Sequence, residues 1–121
     1  YDENDVCTRD FHAMEAALDA ARPEERCVVA QHAPILPKIE SDYPYNPLRH
    51  GEIADRYARR GVLLSLSGHY HRGIPVFGSG GVQYFCAGAL CEAPFPYYLI
   101  TMEEDRVRIH RHTLEECVRE S

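Results

Sequence analysis

Apolar positions change their spacing along the chain, and each change marks the limit of an element. Phe11, Met14, Leu18 and Ala21 recur at helical spacing and Pro23 closes the pattern, which predicts a helix over 10–21 with Thr8 or Asp10 as N-cap. Cys27-Val28-Val29-Ala30 is a short apolar run between polar residues, the pattern of a buried strand. Ile53, Ala54, Tyr57 and Ala58 mark one face of a second helix over 48–60, with Gly61 placed to stop it. The run VLLSL at 62–66 predicts a second buried strand. Four short β-rich runs follow: IPVF (74–77), VQYFC (82–86), YYLITM (97–102) and RVRIHRH (106–112). GSGG, a Gly/Pro loop and the turn Glu103-Glu104-Asp105 separate them. Helix–strand–helix–strand thus gives way to an antiparallel set of strands. A layered α/β architecture is expected, with parallel strands flanked by helices and a strand-rich half packed against them.

This order fixes where three histidines belong. His32 directly follows the first buried strand, and His69 and His71 directly follow the second, within LSGHYHRG (66–73). In open α/β sheets ligands collect at the carboxyl ends of strands, so two neighbouring parallel strands bring all three imidazoles to one sheet edge. Gly68 and Gly73 are expected to let the backbone turn tightly there. Neutral imidazole is a good ligand for Zn, Fe or Mn. A second His-x-His, His110 and His112, alternates with apolar residues and shares a face with Arg106 and Arg108, the pattern of a solvated strand face. His50, at a helix start, carries no signal.

Composition narrows the function classes. The 121 residues suit one domain, and the 45% hydrophobic and 26% charged fractions are ordinary for a globular protein. Net charge is 13 − 19 = −6 with no Lys/Arg stripe, so a nucleic-acid backbone is not the expected partner. No apolar stretch approaches a membrane span, and no signal-peptide pattern opens the chain. The polar, unpatterned start YDENDVC, with Tyr1 rather than Met, reads as a piece of a longer polypeptide. Cys7, Cys27, Cys86, Cys91 and Cys117 are odd in number and lack C-x-x-C spacing, which points to reduced thiols and a cytoplasmic setting. A reactive thiol at Cys86 or Cys91 is the alternative to simple packing.

Strand-His-x-Pro (His32-Ala33-Pro34), a helix, strand-Gly-His-x-His (Gly68 to His71) and a run of β-strands resemble the C-terminal half of the calcineurin-like metallophosphoesterase superfamily. The resemblance covers nearly the whole chain, and CAGALC (86–91) with the strand near Tyr98 is a looser match. It implies a layered α/β/β/α sandwich of which residues 1–121 form the C-terminal portion of a single domain. It also implies hydrolysis of a phosphate ester between two divalent metals, Mn, Fe or Zn. By the same resemblance His32 and His69 bind one metal and His71 the other. Arg72 is a candidate donor to the substrate phosphate. Tyr43 and Tyr45, in the long Pro/Tyr-rich loop, can stack on a base or aromatic leaving group, or simply pack the loop.

The chain departs from that family in lacking Gly-Asp and Gly-Asn-His. Its one Asp-x-His, Asp10-Phe11-His12, follows polar residues and opens an amphipathic helix, so Asp10 reads as a cap and His12 as solvent-facing. Three ligands shared between two metals fall short of a catalytic set. The chain alone is expected to bind metal weakly and to catalyse poorly, its partner being the missing N-terminal half of the domain; its catalytic residues cannot be assigned. A non-catalytic interaction module retaining the fold is the alternative.

Overall fold

The computed structural model describes residues 8–104 and 106–116, with the side chains of Thr8, Arg9 and Asp10 outside that description. The proposed caps Thr8 and Asp10, the thiols of Cys7 and Cys117, and Asp105 therefore lie outside the described residues. The elements are α1 (Thr8–Ala20), β1 (Cys27–Ala30), α2 (His50–Arg59), β2 (Val62–Ser67), β3 (Ile74–Ser79), β4 (Val82–Cys86), β5 (Pro96–Glu103) and β6 (Arg106–Thr113). Each predicted helix and strand is present, within a residue or two at most ends.

The strands form a four-stranded mixed sheet, in the order β1-β2-β4-β3, and a separate antiparallel pair, β5-β6. β1 and β2 are neighbours and parallel, as the histidine argument requires. One expectation is corrected: β4 does not belong to an antiparallel set alone but lies parallel to β2, while β3 pairs antiparallel to β4 from the edge. The reason is burial. In β4, Val82, Tyr84, Phe85 and Cys86 are buried, whereas no residue of β3 is. The strand that is apolar on both faces takes the central position. The turn Gly80-Gly81, with φ of 58° and 81°, supplies the two left-handed residues that a tight hairpin between β3 and β4 needs.

The core is built where the two helices meet this sheet: Phe11 and Leu18 of α1, Ile53 and Tyr57 of α2, and Val62, Val82 and Tyr84 from the strands. Each fully buried side chain of this kind contributes roughly 1.5–3 kcal/mol relative to exposure. Arg56 pairs with Glu15 at 3.0 Å, Arg60 pairs with Asp19, and the Arg49 guanidinium lies 3.7 Å over the Phe11 ring, so polar contacts at the rim fix how α2 sits on α1. His12 is exposed on α1, near Glu15. No described helix is long and apolar enough to cross a membrane.

Candidate metal centre

The histidines converge because strand pairing continues past the end of β1. The Gln31 amide donates to the Leu66 carbonyl at 2.9 Å, and the Gly68 amide donates to the His32 carbonyl at 3.0 Å. The two chain segments stay in register up to the residues that carry the imidazoles. Beneath them, Tyr57 Oη donates to Gln31 Oε1 at 3.2 Å, and Gln31 Nε2 donates to Ser65 Oγ at 3.0 Å. This chain of polar contacts anchors the strand end from the core side. His32 Nε2 and His69 Nδ1 come to 3.0 Å.

The turn that carries His69 differs from the one predicted. Gly68 has space around it for a side chain and no positive φ, so its freedom is not used. His69 itself takes the left-handed conformation, φ 64°. The Tyr70 amide donates to the Gly68 carbonyl at 2.6 Å, which closes a γ-turn centred on His69 in its rarer, strained hand. Such a residue costs on the order of 1–3 kcal/mol and persists only where its surroundings hold it. Gly73 does match expectation: its φ is 72°, and a Cβ there would meet the Gly88 amide nitrogen at 2.9 Å. The turn after β2 and the loop after β4 touch at this point.

That contact delivers a residue the sequence pattern did not single out. The Ala87 amide donates to the Ser67 carbonyl at 2.9 Å and the Ala89 amide to the His71 carbonyl at 3.0 Å, which lays the loop after β4 alongside the histidine turn. Glu92 Oε1 then accepts from His71 Nδ1 at 2.7 Å. An ionised carboxylate only accepts, so Nδ1 carries the proton and the neutral ring keeps its lone pair on Nε2. Cys86 supports the turn from below: its thiol donates to the Gly68 carbonyl at 3.2 Å. Burial pushes this thiol above its ordinary range, against smaller opposing effects from the Ser67 hydroxyl and the Tyr70 backbone. It is a packed donor rather than a poised nucleophile. Cys91 is exposed, and Cys27, Cys86 and Cys91 are all free thiols.

The long loop between β1 and α2 closes over this edge. Asn46, 9% exposed, is its hub: Oδ1 accepts from the Ile39 amide at 2.8 Å, and Nδ2 donates to the carbonyls of Pro34 at 2.9 Å and Pro37 at 3.1 Å. An irregular segment thereby has its backbone polar groups satisfied by one side chain. The loop brings the rings of Tyr43 and Tyr45 each to 5.6 Å from the His69 ring. Tyr43, Tyr45, His69, Tyr70, His71 and Arg72 line a recess of about 300 Å³. Arg72 is exposed at its rim and also borders a largely apolar cavity of about 310 Å³ walled by Ile74, Phe85, Tyr98 and Ile109.

His32, His69 and His71 thus all stand at one sheet edge, and His69 and His71 face the same recess. At 3.0 Å His32 Nε2 and His69 Nδ1 form a hydrogen-bonded pair, one ring donating and the other accepting, with the ring centroids 4.6 Å apart. Among the described residues no group of three or more His, Cys, Asp or Glu side chains is disposed to hold a metal ion. His110 is exposed on β6, whereas His112 is half-buried and stacks on Tyr97 at 5.3 Å, more enclosed than the predicted solvated face. No family model matches the chain. No curated protein matches it either.

Proposed function

We propose that this chain contributes the C-terminal ligands of a dinuclear metal-dependent phosphoesterase whose remaining ligands lie in another segment. The observation that carries the reading is the imidazole pair at 3.0 Å on adjoining strand ends, with His71, held by a carboxylate, lining the same recess as His69. His32 and His69 hold one divalent ion (Mn, Fe or Zn), and His71 holds the other through Nε2, oriented by Glu92. When bound, the ions neutralise the phosphate and draw charge from the ester as it breaks. Arg72, at the rim, donates charge-assisted hydrogen bonds to phosphate oxygens. Catalysis falls to the assembled site, because this chain has no Gly-Asp motif to supply the bridging carboxylate that the resemblance implies.

In this reading the mixed sheet is one layer of an α/β/β/α sandwich, β5-β6 belongs to the second sheet, and the free thiols suit a reducing, cytoplasmic setting. The state of β1 supports a missing layer. CVVA is apolar on both faces, yet Val28 is 40% exposed and Ala30 is exposed too. Apolar strands of parallel sheets are ordinarily covered on both sides. The strained turn at His69 weighs against the alternative, a module kept only for binding a partner, since a fold alone has no use for strain at an imidazole.

The coding sequence upstream of Tyr1 should specify Asp-x-His, Gly-Asp and Gly-Asn-His after successive strands. Protein carrying that segment should hydrolyse bis(p-nitrophenyl) phosphate with Mn²⁺, and His69→Ala and His71→Ala should each lower the rate at least about 100-fold. Unchanged rates in both variants overturn the assignment, as does the absence of those motifs both upstream and in any partner chain.

A further inference from the structure

The recess beside His69 has more aromatic surface than an ion or a bare phosphate requires. The Tyr43 and Tyr45 rings lie 4.9 Å apart at 54°, and Tyr45 meets Tyr70 edge-on at 4.8 Å and 79°. Both also tilt against His69, at 48° and 64°. None of these pairs is parallel. Tilted and edge-on packing is favourable for aromatic pairs, so these rings form one cluster with Tyr43 on its solvent side. Tyr43 remains 44% exposed although its loop is tied down by the buried Asn46. A rigid loop that holds a ring half in solvent presents it at little ordering cost to a ligand.

The geometry points to a planar aromatic group as the alcohol of the phosphate ester, a nucleoside or an aryl unit stacked on Tyr43 and Tyr45 while its phosphate lies toward His71 and Arg72. This substrate class rests on the phosphoesterase reading. Three observations select it. Arg72 shares the recess, so a cationic group, the other habitual guest of an aromatic cage, is repelled. The volume of about 300 Å³ is at the small end of ligand sites, enough for one ring system and not for a polymer. The net charge of −6 likewise disfavours a nucleic-acid chain while leaving a single phosphate manageable by one arginine.

Binding to protein kept in chelator separates this claim from metal chemistry. Adenosine 5′-monophosphate, phenyl phosphate and ribose 5-phosphate are titrated against the protein, with tyrosine ring protons followed by NMR. The first two should bind about five- to a hundredfold more tightly than ribose 5-phosphate and shift the rings upfield. The Tyr43→Ala, Tyr45→Ala double variant should erase the difference, and the Tyr→Phe pair should restore it. The tighter of the two aromatic ligands identifies nucleoside or aryl ester as the source. Equal affinities, a preference that survives the double alanine variant, or no binding of either aromatic ligand at millimolar concentration each overturn the proposal. Hydrolysis by the full-length protein without this preference removes the substrate class alone. A preference without any hydrolysis removes the phosphoesterase reading and leaves an aryl- or nucleoside-phosphate binding site.

Discussion

The chain contains His-x-His twice, and the two copies have different fates. His69 and His71 sit on a turn beyond a parallel strand, where three chain segments meet: His32 from beyond β1, Glu92 from beyond β4, and the tyrosines of the long loop. His110 and His112 sit within β6 of an antiparallel pair, opposite Leu99 and Tyr97. Regular pairing sets these histidines beside their cross-strand neighbours, and His112 stacks on Tyr97. The lesson is that spacing alone does not make a ligand pair. A strand end, where backbone pairing stops and several segments converge, can aim imidazoles at one point.

The comparison is broken most sharply by alanine. On the proposed phosphoesterase reading, His69→Ala or His71→Ala should cost at least about 100-fold in Mn²⁺-supported hydrolysis by the assembled site, while His110→Ala and His112→Ala should stay within about twofold. A comparable loss at His112 would erase the distinction. The support of each imidazole sharpens it further. On the same reading, Glu92→Ala should weaken metal binding about tenfold, the low end for a carboxylate behind a ligand, because both partners are more than half exposed. Metal titration by calorimetry reads this directly, and an unchanged affinity would mean that His71 needs no orienting partner.

Asn46→Ala should destabilise the fold by about 1–3 kcal/mol in urea unfolding, since it strands the Pro34 and Pro37 carbonyls and the Ile39 amide. The first region depends on such a hub; the β5-β6 pair, hydrogen-bonded strand to strand, has no need of one. The smallest effect is one of pH. Burial raises Tyr57 and Tyr84 above the ordinary phenol value of 10.0. Their folded state holds the proton more tightly than the unfolded one, so the stability they contribute is complete below pH 10 and declines as pH rises through their folded values. Urea midpoints should therefore be insensitive to these groups between pH 7 and 9 and should fall above pH 10. Tyr57→Phe should flatten that fall, and an unaltered alkaline slope would count against the burial argument.

Much of this was readable in the chain. The periodicity of Phe11, Leu18, Ile53 and Tyr57 gave helices, and CVVA and VLLSL gave parallel neighbours, which was enough to bring His32, His69 and His71 to one edge. The insertion of β4 between β2 and β3 was less accessible, because both runs are β-rich and only their relative burial ranks them. Glu92 followed from that insertion: a carboxylate far along the chain reaches His71 only because the loop after β4 is laid against the turn after β2. Asn46 was hidden for another reason. A lone Asn in a Pro-rich loop gives no pattern, and its importance comes from backbone groups whose positions no periodicity encodes. The conformation of His69 was masked by Gly68, which offered the easier explanation and is not where the backbone turns.

That last residue bears on how the chain would drift. Glycine at position 69 relieves the left-handed backbone without disturbing the hydrogen bond from Tyr70 to Gly68, and asparagine tolerates it better than most residues. Random substitution under selection for folding alone would therefore move this position toward Gly or Asn. Among related chains, where position 69 stays His the strained turn is still under selection, and where it relaxes that use of the edge has been abandoned while the sheet beneath it is kept.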